Sequence, residues 1–356
     1  MTMESLKQLW DEWVLSLKNK KGASGGSGSI KSAQIVYVFG PPGTGKTHHL
    51  HRSTCQSFTG DYMTVMHDYH HVDGDIPLKH MCLVPEYKEM AEQMFLEGDW
   101  APHFTELARL TLEGAKDNDK VVISHATDKN DQRDHVIKKL IEGGASEDKI
   151  TIVQLTIDPK VKARGLYHRT ARMAEQSGMT ITECCKAFME FEGEMTEERY
   201  IDMCLEAEAE NEDFFEVHPK AIMVDISGRD VTHFDNVDKA LGLTRSTELP
   251  YESICAKVKP IDEARDKIVM ESGFMEAFAE ILAKAEAQAQ KSSLAIEEEG
   301  EDEKKAEVMK KRRSTLLKCE VSMRGLSSRA LSLRDTSEGV EARRKSLIAT
   351  GKIFEE

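Results

Sequence analysis

The sequence predicts an α/β protein in which a parallel sheet is wrapped by helices, and three observations carry that reading. Between residues 34 and 243, short apolar runs alternate with stretches of helical periodicity, as repeated strand–helix units require. The first run, Ile35-Val36-Tyr37-Val38-Phe39, is apolar throughout and reads as a buried strand. Directly after it comes Gly40-Pro41-Pro42-Gly43-Thr44-Gly45-Lys46-Thr47, which matches G-x-x-x-x-G-K-[ST] with a helix-compatible stretch behind it.

In chain order, residues 3–18 place Leu6, Leu9, Trp10, Trp13, Val14 and Leu17 at three- and four-residue spacing, an amphipathic helix assigned to 1–20. A Gly/Ser linker follows over 21–30, so this helix either docks back or engages a protein partner. The α/β domain is expected over 31–245. Its strand candidates are 34–39, 62–66, 120–124, 150–157 and 220–226. Helices are expected near 45–56, 84–96, 102–115, 131–142, 159–176, 180–190 and 196–209. A short helix over 234–241 closes the unit, with Gly242 as its C-cap. A helical extension spans 246–290, with Ile268, Met275, Phe278, Ile281 and Leu282 as an apolar stripe. Residues 291–356 form a charged tail, expected to be disordered, in which an acidic run 297–303 precedes Lys310-Lys311-Arg312-Arg313.

Composition bounds the function. The 356 residues carry a formal net charge of −15, which argues against a nucleic-acid partner or an anionic membrane surface. No apolar run reaches the ~18 residues of a membrane span. Seven scattered cysteines without C-x-x-C spacing suit a reduced compartment, and the first twenty residues lack the apolar core of a signal peptide. The expected location is cytoplasmic.

The loop supplies the chemistry. Glycines let successive backbone N–H groups converge on a phosphate, and the helix that follows adds its positive dipole end. Gly40 to Thr47, with His48 at the helix start, are the nucleotide-binding candidates. Lys46 reaches the β- and γ-phosphates and the Thr47 hydroxyl meets Mg2+. Phosphoryl transfer then needs a carboxylate near the acceptor hydroxyl and positive charge over the equatorial oxygens. Asp68, just past strand candidate 62–66, is a candidate for that carboxylate and for Mg2+. Asp73 and Asp75 are further candidates, although Asp73-Gly74-Asp75 also reads as a plain turn. His67, His70, His71 and His80 lie close by, but no matching ligand cluster elsewhere supports a metal site. Arg169 and Arg172, in the helical stretch after Pro159, are candidates for a lid over the γ-phosphate, assigned to about 160–215. The alternative is a solvated helix face. Arg133 is the candidate for binding an acceptor anion.

With these pieces placed, residues from about 34 to 242 resemble the gluconokinase branch of the shikimate-kinase-like P-loop kinases. The stretch Gly60-Asp61-Tyr62-Met63-Thr64-Val65-Met66-His67-Asp68-Tyr69-His70 is similar to that family's strand ending in an Asp-x-Asp-Asp-Tyr-His motif, with Val65 and His67 at its two leading acidic positions. Asp99-x-x-Pro102-x-Phe104-x-x-Leu107 resembles its Asp-Arg-x-Pro-Trp-Leu-x-x-Leu segment. Val121-Val122-Ile123 followed by Lys129-x-x-x-Arg133-Asp134 is similar to its strand and Lys-x-x-Tyr-Arg-Asp motif. The resemblance implies a five-stranded parallel sheet, ATP with Mg2+, and phosphorylation of a small hydroxylated acid such as a gluconate-like sugar acid. A nucleotide-binding regulatory or adaptor protein and a P-loop ATPase are the alternatives.

Overall fold

In the computed structural model, the described residues are 29–40 and 55–284, apart from 75, 128, 177, 187–190, 211–214, 229, 272, 274–276, 279 and 282. The amphipathic helix expected over 1–20, most of the linker, the charged tail and loop residues Pro41 to His48 lie outside them. The described elements, in order, are β1 (Gln34–Phe39), α1 (Cys55–His67), β2 (His70–Asp73), α2 (Ile76–Leu83), α3 (Pro85–Glu97), α4 (Ala101–Asp117), β3 (Lys120–His125), α5 (Asn130–Glu142), β4 (Ile150–Thr156), α6 (Pro159–Gln176), α7 (Ile181–Lys186), α8 (Glu197–Glu210), β5 (Ile222–Asp225), α9 (Val231–Leu241) and α10 (Tyr251–Glu271). A single 3-10 turn, Glu147–Lys149, leads into β4.

The five strands form one sheet in the order β2-β3-β1-β4-β5, and every pairing is parallel. The α/β class and the five-stranded parallel sheet are therefore as the sequence predicts. β1 lies at the centre, which explains its unbroken apolar run. Val36 and Val38 enter a core with Phe58, Tyr62 and Met63 of α1 and Phe234 and Val237 of α9. Ile35, Tyr37 and Phe39 enter the opposite core with Phe104 and Leu107 of α4 and Val136 and Leu140 of α5. Side chains alternate across a strand, so a strand covered on both faces needs apolar residues at every position.

One expected strand is overturned. Residues 62–66 belong to α1, which runs through His67, and the second strand is instead His70–Asp73. Five residues, Tyr62 to Met66, satisfy either period when read alone. Packing decides between them: Phe58 and Tyr62, four apart, both lie against Phe234, with ring centroids 5.4 and 4.2 Å away. The chain leaves the helix at Asp68, whose φ of 60° reverses its direction. β2 escaped notice because it is an edge strand whose only apolar residue is Val72.

Helix boundaries elsewhere follow local chemistry. Gly242 takes the expected C-cap position at φ 62°, donating to the carbonyls of Asp238 and Lys239. Such a left-handed conformation suits glycine, which has no Cβ to clash. At the other end of α9, Asp230 accepts from the Thr232 N–H. α2 answers to no predicted element. α10 lies within the helical extension expected over 246–290, and its Ile254, Cys255 and Val258 are buried. Of the expected stripe, Phe278 and Ile281 are buried, and Phe278 meets Phe95 edge-on at 5.3 Å. The side chains of Ile268, Met275 and Leu282 lie outside the described set.

The described residues fall into two compact units, one carrying the sheet and the other residues 168–196. Within the second, Thr180 and Glu183 cap α7 reciprocally. The Glu183 carboxylate accepts from the Thr180 N–H at 2.7 Å, and the Thr180 hydroxyl accepts from the Glu183 N–H at 3.2 Å. Cys184 and Cys185 are buried there.

Candidate functional site

In a parallel α/β sheet, ligands bind outside the carboxyl ends of the strands. β1 delivers the chain to that edge at Phe39 and buried Gly40, from which the glycine-rich loop departs. β3 ends beside it, with Val38 paired to Ser124 and Phe39 to His125. β2 ends one strand further out, with Asp73 paired to Ser124. At ~4.8 Å between neighbouring strands, Asp73 lies about 10 Å from the end of β1, on the same edge.

Asp73 is 4% exposed and its field raises the proton affinity of His125. The turn after it is tightly made: the Gly74 N–H donates to the Ser124 carbonyl at 2.7 Å. A Cβ on Gly74 would come 2.2 Å from Cδ2 of His125. Glycine is required here so that the turn can pass the imidazole.

Beneath Asp73, three elements are joined by buried polar groups. His71 of β2 bonds Asp61 of α1 through Nδ1 at 2.9 Å and the Ser124 hydroxyl of β3 through Nε2 at 2.7 Å. Gly60 brings α1 within range, since a Cβ there would lie 2.4 Å from His71 Nε2. Both ring nitrogens of His71 are engaged and Ser124 is 1% exposed, so this Ser–His–Asp array serves to fix α1 against the sheet.

On the opposite face, Tyr37, Thr127, His125 and His103 form a hydrogen-bonded chain. The Tyr37 and Thr127 hydroxyls are 3.2 Å apart, Thr127 Oγ1 and His125 Nδ1 2.6 Å, and His125 Nε2 and His103 Nε2 3.1 Å. Burial keeps both imidazoles neutral: His125 is pushed down to about 4, and His103 lies well below its ordinary value. Burial likewise raises the Tyr37 phenol to about 12.

The structure separates the other sequence candidates. Asp68 is exposed and precedes β2, whereas Asp73 ends it, so Asp68 lies at the amino end of the sheet, away from the phosphate edge. Its expected roles, as acceptor carboxylate and as Mg2+ ligand, are both corrected by that placement, which follows from the displaced strand. Arg133 is wholly buried. Its guanidinium donates to the carbonyls of Thr127 at 2.6 Å and Glu216 at 2.5 Å and to Asn130 Oδ1 at 2.7 Å. It is also sandwiched between the Phe39 and Phe215 rings, at 4.2 and 4.6 Å. These contacts correct its expected role as an open anion binder; it ties the loop after β3 to the segment before β5. Arg169 and Arg172 lie on α6, but their side chains, like Asp75 and Lys46, fall outside the described residues. His67, one of the four clustered histidines, instead bonds Asp238 at 2.8 Å, and His70 lies against Gly114.

Sequence reasoning missed Asp61, His71, His103, Ser124 and His125. The pairing of a histidine with a strand-end serine is a tertiary contact, and the only available signal was the density of histidines around β2. A groove of about 240 Å3 opens over the start of β4 beside Asp134 and His218, at the end of the sheet away from the carboxyl ends of the strands. Among the described residues, no helix is long and apolar enough to cross a membrane.

No family model matches the chain. No curated protein sequence matches it either. Among solved structures it is similar to a gluconokinase from Sinorhizobium meliloti 1021, at 16% identity and a TM-score of 0.30, covering 68% of this chain and 99% of that one.

Proposed function

We propose that this protein is an ATP-dependent kinase that transfers the γ-phosphoryl group to a hydroxyl of a small polyhydroxylated acceptor, a gluconate-like sugar acid being the leading class. The observation that carries this reading is the position of Asp73. A buried carboxylate ends the strand two places from β1, on the edge where the G-x-x-x-x-G-K-T loop begins. Lys46 would neutralise the β- and γ-phosphates and Thr47 would ligate Mg2+, with Asp73 supplying a hard oxygen donor of the kind Mg2+ accepts. The acceptor hydroxyl would pass its proton to Asp73 as its oxygen bonds the γ-phosphorus. The bond from that phosphorus to the β-phosphate oxygen breaks, and ADP leaves. Arg169 and Arg172 remain proposed as the cations over the transferring group, and Asp75 as an accessory acid. The reading entails a soluble, cytoplasmic enzyme.

One observation favours a second reading. The arginine expected to hold an acceptor anion is committed to internal bonds, which suits a nucleotide-binding regulatory protein without efficient transfer. An assay of ADP release with Mg2+-ATP and D-gluconate, shikimate, nucleoside monophosphates or water alone separates the two. Acceptor-dependent ADP that falls at least a hundredfold in Asp73→Asn supports the kinase. Tight ATP binding with no acceptor-dependent turnover supports the regulator. A Lys46→Ala variant with unaltered ATP binding and turnover sinks both readings.

A further inference from the structure

The chain Tyr37–Thr127–His125–His103 has a direction, and that direction leaves one donor unmet. Each member carries one mobile proton while the imidazoles are neutral, as burial keeps them. Suppose Thr127 donates to His125 Nδ1. Tyr37 must then donate to Thr127, and His125 carries its proton on Nε2, donating to His103 Nε2. His103 is left with its proton on Nδ1, and every other group in the chain is satisfied. Suppose instead that His125 Nδ1 donates to Thr127. Then His103 donates through Nε2 and its Nδ1 lone pair is unmet. The single Thr127–Tyr37 bond also strands one hydroxyl proton in the core. The first arrangement leaves one unmet group and the second leaves two, so the first prevails.

Its one unmet group is the His103 Nδ1–H. That atom is buried without a hydrogen-bond partner, and the residue is 3% exposed. His103 sits in the first turn of α4, which meets the carboxyl end of β3 through the 3.1 Å bond to His125. Trp100, half-buried, stands edge-on to its ring at 5.9 Å. The group therefore belongs to the strand edge that carries Asp73.

We propose that His103 Nδ1–H is a preset donor to an uncharged hydroxyl oxygen of the phosphoryl acceptor, held in that tautomer by Tyr37 and Thr127. Asp73 bears negative charge close to His125, so a carboxylate is disfavoured there. The hydroxylated end of a sugar acid is admitted and its acid end is turned away. The kinase reading supplies the identity of the ligand; the donor itself rests on the hydrogen-bond chain alone.

The test is long-range 1H–15N correlation on the 15N-labelled full chain between pH 5 and 8, with the imidazoles assigned through His103→Gln and His125→Gln. His103 is expected as the Nδ1–H tautomer and His125 as Nε2–H. The reverse pair overturns the proposal. In Thr127→Val both directions leave three unmet groups, the Tyr37 hydroxyl and Nδ1 of each imidazole, so the spectra should show both tautomers; a single unchanged tautomer also overturns the proposal. D-gluconate and D-sorbitol are then titrated against the parent protein, with acetate as control. Saturable displacement of the His103 Nδ1 resonance by the two polyols but not by acetate supports the proposal. No response, or a response to acetate alone, overturns it and leaves a water-bound donor. ADP release is read separately. Correct tautomers and a saturable shift without turnover sink the kinase and keep the donor; reversed tautomers with turnover do the opposite.

Discussion

The C-terminal end of α1 is held by one carboxylate, and removing it should loosen the helix that follows the phosphate loop. Asp238 of α9 is 6% exposed and accepts from the Tyr62 hydroxyl at 2.7 Å to both of its oxygens. It also bonds His67 Nε2 at 2.8 Å and Arg245 Nε at 2.9 Å, and Arg245 reaches on to Asp235. Burial first, and then its bond to this carboxylate, raises the Tyr62 phenol far above its ordinary range. Asp238→Ala leaves the Tyr62 hydroxyl only its 3.2 Å contact with His67 Nε2 and deprives Arg245 of its buried partner. Bonds to a charged group contribute about 1.5–3 kcal/mol each. They share one acceptor and do not add, and breaking a buried ionic pair costs about 3–5 kcal/mol, which we take as the expected loss. For a folded region of this size, the melting temperature should fall by about 6–20 °C. Tyr62→Phe keeps the ring stacked on Phe234, at 4.2 Å and 18°, and should lose only about 1.5–3 kcal/mol. Urea unfolding of both variants and of the double variant provides the measurement. If Asp238→Ala unfolds within 1 kcal/mol of the parent, or if the two losses add fully, the network described here does not hold α1. On the kinase reading, and because α1 begins eight residues after Thr47, the same variant should weaken ATP binding without touching nucleotide.

Three other outcomes are expected. His125 and His233 are both held at about 4 by burial, against an ordinary 6.5. The unfolded chain therefore takes up protons that the folded chain refuses; stability is fully present above pH 6.5 and is lost as pH falls towards 4, on the order of 3 kcal/mol for each group at the lower end. Urea midpoints at pH 7, 5.5 and 4.5 should fall in that order, and a flat profile refutes the buried neutral state. Gly60→Ala places a methyl 2.4 Å from a His71 ring that two hydrogen bonds hold in place, and should cost about 1–3 kcal/mol in thermal unfolding. Arg133→Lys loses the planar fork and both ring contacts and should cost about 2–3 kcal/mol of stability. An unchanged melting curve with impaired acceptor binding would return Arg133 to the role its motif implies.

The resemblance of 60–70 to a strand-and-acid motif shows where reading the chain alone goes astray. Tyr62 to Met66 carries the right residue types for a strand, and its neighbours place an acid just after it. The contact that settles the matter, Tyr62 on Phe234, joins residues 172 apart in the chain. Once α1 takes those residues, the strand moves to 70–73 and the acid at its end becomes Asp73 rather than Asp68. Arg133 is a parallel case. Its motif is local, but its partners at Glu216 and Phe215 come from the segment before β5.

From the sequence alone came the α/β class, the central strand 34–39, the glycine-rich pattern that follows it and the helix stop at Gly242. Each depends on short-range physics: an unbroken apolar run, glycines that permit a tight backbone, a left-handed cap. The tertiary structure decided which end of β2 lies beside the end of β1, which acid stands there, and whether an arginine is open or committed. Those outcomes depend on partners distant along the chain, and burial gives each group its electrostatic character only after the two faces of the sheet have closed.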